Sequence, residues 1–167
     1  MSLNNIDFSK KSIVDLYKTT LVELHENIPV SAESRDAVNF KFLGENRKKV
    51  LIVVSYPDAV FIPDKQLGFL TTLLAACKFT LADTAVFNFY NFSETDFSER
   101  LNFFKPAVVF LFGVEPSDFG MPLLFPHFQI QAYKDSTFLF SPGLEEIEKD
   151  KSLKTKLWVC LKKIFNL

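Results

Sequence analysis

From Ser9 onward, the apolar residues of SKKSIVDLYKTTLVELHEN follow a helical rhythm. Ile13, Leu16, Tyr17, Leu21 and Leu24 recur at three- and four-residue spacings, which predicts an amphipathic helix with Ser9 as its N-cap. The next stretch, IPVSAESRDAVNFKFLGENRKK, is polar and weakly patterned. It reads as a connector with one short strand at Val38–Leu43. Val50–Val54 is an uninterrupted apolar run, four of its five residues β-branched, the pattern of a strand covered on both faces.

The rhythm then alternates. Asp64 is placed to cap a helix carrying Leu67, Leu70, Leu74 and Cys77 inward, and TAVFNFY predicts a second strand. SETDFSERLNFFK begins with the Ser-x-x-Asp spacing of a capping box and puts Phe97, Leu101 and Phe104 on one side. AVVFLFG predicts a third strand, ended by Gly113 and Pro116. Strand, helix, strand, helix, strand with short links predicts a parallel sheet built from right-handed crossovers. Further strands are expected at Phe128–Ala132 and in DSTFLFSPG up to Ser141. Pro142 stands where a first helical turn begins, and the closing helix turns Leu153, Leu157, Cys160, Leu161 and Ile164 inward. The expected fold is three-layer α/β/α, with a central, mainly parallel sheet of about four strands. Residues 1–47 form a helical arm and connector, and residues 48–167 a single α/β domain.

Composition sharpens this picture. The chain has 167 residues, enough for one domain with a real core, and its 20 phenylalanines are expected mostly to fill that core. Its net charge of −1 argues against a protein whose whole surface binds nucleic acid. The lysine-rich last helix (Lys149, Lys151, Lys154, Lys156, Lys162, Lys163) suits phosphates or an acidic partner, but lysines also suit the C-terminal end of any helix. Cys77 and Cys160 sit at core spacings with no CxxC, so neither a disulfide nor a metal site is expected, and the expected compartment is the cytoplasm. The N-terminus lacks the apolar run of a signal peptide, and no stretch reads as a membrane span.

Chemistry is sparse. No Walker loop, GxGxxG, GxSxG or HExxH occurs, so no cofactor is expected. His25 and His127 read as surface residues. Asp58, Glu115 and Asp118 fall just beyond strand ends, where paired carboxylates suit acid–base work, but each also fits a turn. Ligands of open α/β sheets sit in the loops after strand carboxyl ends. Here the first such loop reads Ser55-Tyr56-Pro57-Asp58, without a glycine or a nucleophile–base pair.

The segments VLIVVSYPD, FFKPAVVFLFG, FLFSPGL and KDKSLKTKLWVCL together resemble the uracil-DNA glycosylase superfamily over residues 48–165. The resemblance implies a site after the first and last strands, but this chain departs from it at the chemistry. Val54 stands for the motif's glycine, Tyr56 for its acid, amide or small residue, and Ser141 for the histidine that steadies the leaving uracil. The expected site is a remnant comprising Ser55, Tyr56, Pro57, Asp58, Gly113, Glu115, Ser141 and Pro142, with no catalytic residue. KKVLIVVSYPD, FLFGVEPSDFGMPLLF and FLFSPGLEEIEKDKSLKTKLWVCLKKI are similar to the psi-subunit family of bacterial DNA polymerase III, a non-catalytic connector with this kind of fold. That similarity implies protein partners, clamp-loader subunits or a chi-like protein, with nucleic acid met only indirectly or weakly. An N-terminal segment would then dock on the partner, with Ile6, Phe8, Ile13, Leu16 and Tyr17 as candidate contacts. The alternative is a divergent glycosylase-like enzyme or a base- or nucleotide-binding protein.

Overall fold

The structure, a computed structural model, describes residues 38–167. The expected N-terminal helix, the docking candidates Ile6, Phe8, Ile13, Leu16 and Tyr17, and His25 lie outside the described residues. Phe40–Leu167 form one compact unit.

In chain order the elements are β1 (Leu43–Gly44), β2 (Val50–Val54), α1 (Asp64–Ala76), β3 (Thr84–Asn88), α2 (Phe97–Phe104) and β4 (Val108–Phe112). A short α3 (Pro116–Phe119), β5 (Ile130–Tyr133), β6 (Ser136–Ser141), α4 (Leu144–Lys149) and α5 (Lys151–Phe165) follow. The strands form one sheet in the order β1-β3-β2-β4-β6-β5. Its four central strands are parallel, with Ile52 opposite Val86 on one side and Phe110 on the other. β1 and β5 add antiparallel edges. The chain is therefore α/β, as expected, but the sheet has six strands rather than about four. The two further strands are short, half-buried edges whose apolar alternation is too brief to fix their bounds. The connector strand expected at Val38–Leu43 reduces to Leu43–Gly44, and the one expected at Phe128–Ala132 shifts to Ile130–Tyr133.

Period-two alternation divides the core between the two faces of the sheet. Val50, Ile52, Val54, Val86, Phe110, Phe112 and Leu139 share one cluster with Leu70 and Leu74 of α1, Ile147 of α4 and Leu157 and Leu161 of α5. The intervening residues Leu51, Val53, Phe87, Leu111 and Phe138 are equally buried, outside that cluster. On their side the ring of Phe104, from α2, stands 5.3 Å from that of Phe87, and Phe40 stands 5.6 Å from the same ring. Each such ring taken from water contributes roughly 1.5–3 kcal/mol. Many of the phenylalanines are thus core, and Phe40, from the expected connector, is one of them.

Helix ends differ from expectation in instructive ways. Asp64 does not cap α1; Pro63 occupies the N-cap and Asp64 is the first helical residue. Asp96, read as the last member of a capping box, is itself the N-cap of α2 and accepts the Ser98 N–H at 2.9 Å. Pro142 precedes the N-cap Gly143 of α4. The single closing helix is two, because Asp150 leaves helical geometry and caps α5 through the Ser152 N–H at 2.7 Å.

One buried residue breaks the expected apolar face of α2. Arg100 is buried between the rings of Phe89 and Phe119, 5.0 and 4.8 Å from their centres. Its guanidinium donates to the carbonyls of Thr95 (2.6 Å) and Phe119 (2.5 Å) and to the Thr95 hydroxyl (2.7 Å). Desolvation pulls its pKa down, offset in part by Asp96 and Glu99. A charge here is tolerated because backbone dipoles and ring faces replace water.

Candidate functional site

β3 lies on one side of β2 and β4 on the other. The crossover out of β2 therefore runs in the opposite direction to the one out of β3. Constant handedness then sends α1 and α2 to opposite faces. The chain parts at the carboxyl ends of β2 and β4, the place where open α/β sheets take their ligands.

A cleft of about 420 Å3 opens there. Ser55 and Tyr56 line it from the end of β2, and Phe112 and Gly113 from the end of β4. Gly143, Glu145 and Glu146 close it from the start of α4. Gly113 has φ +71°, and a Cβ there would meet the Gly143 Cα at 3.2 Å, so a glycine lets the two loops approach. The Glu146 carboxylate reaches back to the Gly143 N–H at 3.3 Å.

Of the expected remnant, Ser55, Tyr56 and Gly113 come together in this cleft. Pro57 and Asp58 form an exposed turn and are not among the lining residues. Glu115 is exposed at the start of α3 without capping it, and Asp118 is exposed within α3. Ser141 is buried; its hydroxyl donates to the Pro142 carbonyl at 3.2 Å, and its carbonyl accepts the Gly113 N–H at 2.9 Å. Ser141 and half-buried Pro142 thus brace the cleft without lining it. His127 is exposed, its ring 4.3 Å from that of Phe140.

Asn88, which the sequence pattern places inside the strand TAVFNFY but which in the structure ends β3, decides the loop's shape. It is buried at the end of β3. Its Oδ1 accepts the Tyr56 N–H (2.9 Å), and its Nδ2 donates to the carbonyls of Tyr56 (2.8 Å) and Ala59 (2.7 Å). The only signal available in the sequence is a lone polar residue interrupting an apolar run. Glu145 and Glu146 were equally unmarked, although an acidic pair one residue after Pro-Gly suits a helix N-terminus.

The electrostatics of the cleft are acidic. Tyr56 has its pKa pushed up to about 12, first by burial and then by the charge of Glu145. It is a neutral phenol at any ordinary pH, a hydrogen-bonding group rather than a base. The lining carries two carboxylates and no cation, which disfavours an anionic ligand. Among the described residues, no cluster of three or more His, Cys, Asp or Glu side chains is placed to hold a metal ion. Cys77 and Cys160 are buried free thiols, and among the described residues no helix is long and apolar enough to cross a membrane. No protein-family model matches the chain, and none of the curated proteins compared with it does either.

Proposed function

We propose that this protein is a non-catalytic connector, similar to the psi subunit of bacterial DNA polymerase III and built on a glycosylase-like fold. The observation that carries the reading is the fate of the loop after β2. The cleft stands where an open α/β sheet takes its ligand, yet Asp58, the carboxylate nearest in sequence to the position of a water-orienting base, sits in an exposed turn and does not line it. Tyr56, in the expected position of the motif's acid or amide, is held neutral. Asn88 bolts the loop in this arrangement. The acidic lining also opposes the approach of a phosphodiester from the carboxyl end. The parallel central strands, with helices on both faces, support the glycosylase-like fold.

The test combines two measurements on the full chain. Sedimentation with a reconstituted bacterial clamp loader lacking its own psi subunit should show co-migration, strengthened by a chi-like protein. Incubation with uracil-containing single- and double-stranded DNA should release no uracil above a mock preparation. Excision abolished by Asp58→Asn would overturn the connector reading in favour of a divergent glycosylase.

A further inference from the structure

Seven non-glycine residues of the described chain have positive φ, and four of them are lysines: Lys49 (57°), Lys78 (63°), Lys105 (44°) and Lys134 (56°). The left-handed region is unfavourable for a lysine and suits glycine or asparagine. All four lysines stand at the amino end of the parallel strands. Lys49 directly precedes β2, Lys78 and Lys105 follow the carboxyl ends of α1 and α2, and Lys134 sits in the turn into β6. All four are exposed. Among the described residues, no carboxylate lies within 4.0 Å of their ammonium groups, whereas Arg47 and Lys48 at the same end pair with Glu45 and Asp83.

Helix dipoles account for part of this placement, since Lys78 and Lys105 end helices. They do not account for Lys49 or Lys134, which end none. The turns before β2, β4 and β6 are neighbours: the Ala107 N–H donates to the Lys49 carbonyl at 2.7 Å, and the Thr137 N–H to the Ala107 carbonyl at 2.9 Å. Lys49 thus stands beside Ala107, two residues after Lys105, and Ala107 beside Thr137, three residues after Lys134, which sets Lys49, Lys105 and Lys134 in a row of neighbouring turns across adjacent strands. Lys105 and Lys134 also flank a second cleft, of about 430 Å3, lined by Ser98 and Asn102 and by one carboxylate, Asp135. Phe103, two residues before Lys105, leaves 44% of its surface exposed.

From this geometry we infer a direct binding surface at the amino end of the sheet for single-stranded nucleic acid, the lysine row tracking phosphates and Phe103 offering a face for a base. The Phe103 ring packs against those of Phe40, Phe42 and Phe104 and turns its free part outward at the end of α2 that carries Lys105. Cations without carboxylate partners, together with a partly exposed ring, are the elements that hold single strands without reading sequence. The inference is independent of the connector reading, because it uses the opposite end of the molecule.

The test is fluorescence anisotropy of a labelled oligothymidylate titrated with the full chain over a range of salt. Replacing the four lysines together by asparagine removes charge while suiting the left-handed turns. The log–log salt slope should then flatten by about 3, at roughly 0.7 per phosphate contact on a single strand, and affinity near 50 mM salt should fall at least about a hundredfold. The melting temperature should hold or rise, which separates lost binding from lost folding. The pair Lys154→Gln and Lys156→Gln should leave binding unchanged, and Phe103→Ala should weaken it without altering the slope. Unchanged affinity in the asparagine variant, or tighter binding to polyglutamate than to the oligonucleotide, would overturn the inference, the latter in favour of an acidic protein partner.

Discussion

The side-chain amide of Asn88 holds both backbone groups of Tyr56, accepting its N–H at 2.9 Å and donating to its carbonyl at 2.8 Å. A residue of β3 thereby dictates the path of the loop that leaves β2. With the further bond to Ala59 at 2.7 Å and a longer one from the Tyr90 N–H at 3.3 Å, both atoms of the amide have partners.

Asn88→Ala is expected to destabilise the protein by about 2–3 kcal/mol, since it strands buried backbone groups of the loop. Urea denaturation measures the loss. Asn88→Asp should be worse at neutral pH, because its carboxylate faces the carbonyls of Tyr56 and Ala59. Its stability should recover as pH falls and the acid regains a donor. An Asn88→Ala variant as stable as the parent would show that water replaces the amide at no cost.

Arg100→Leu should cost about 1–3 kcal/mol, the range for leaving buried neutral acceptors without a donor. The carbonyls of Thr95 and Phe119 would lose their donors. Arg100→Lys should recover only part of that, because an ammonium cannot span both carbonyls as the planar fork does. Chemical denaturation of the two variants side by side checks the order; a fully stable Arg100→Lys would refute the fork argument.

Gly44→Ala should destabilise more than an average surface change. Gly44 has φ +105°, and a Cβ would come within 2.6 Å of the Leu81 carbonyl oxygen and closer still to that of Thr84. Both obstacles are backbone and cannot rotate away. A loss of about 2 kcal/mol or more is expected, with faster amide exchange at Asn46, whose N–H donates to the Thr84 carbonyl.

Tyr56 provides the pH prediction. Its folded-state pKa of about 12 lies above the ordinary value of 10.0. The native state therefore favours the protonated phenol. Its stabilising contribution is fully present below pH 10 and is lost as pH rises towards 12. Ultraviolet titration should show a tyrosine step near pH 12, and Tyr56→Phe should remove that step and delay alkaline unfolding. Glu145→Gln should move the step down. A late step that survives in Tyr56→Phe would assign it elsewhere.

The central strands were legible along the chain because each is buried on both faces and reads as an unbroken apolar run, as Val50–Val54 and Val108–Phe112 do. α1 and α5 were legible from their periodic inward residues, and the place of the cleft from the strand–loop–helix order. The edge strands were legible only in place and not in extent, expected at Val38–Leu43 and Phe128–Ala132 and found at Leu43–Gly44 and Ile130–Tyr133, because two to four half-buried residues carry too little pattern to fix bounds. Arg100 resembles any exposed helical arginine until the rings of Phe89 and Phe119, eleven residues before it and nineteen after, close around it. Asn88 gains its meaning only when β3 pairs with β2 and brings it under a loop about thirty residues earlier. Glu145 and Glu146 enter the cleft, and Asp58 leaves it, through the directions the loops take. Local sequence determines which segments are strands and helices, since burial and periodicity are properties of neighbours along the chain. Which polar groups meet depends on contacts between distant segments, and those exist only once the sheet is assembled.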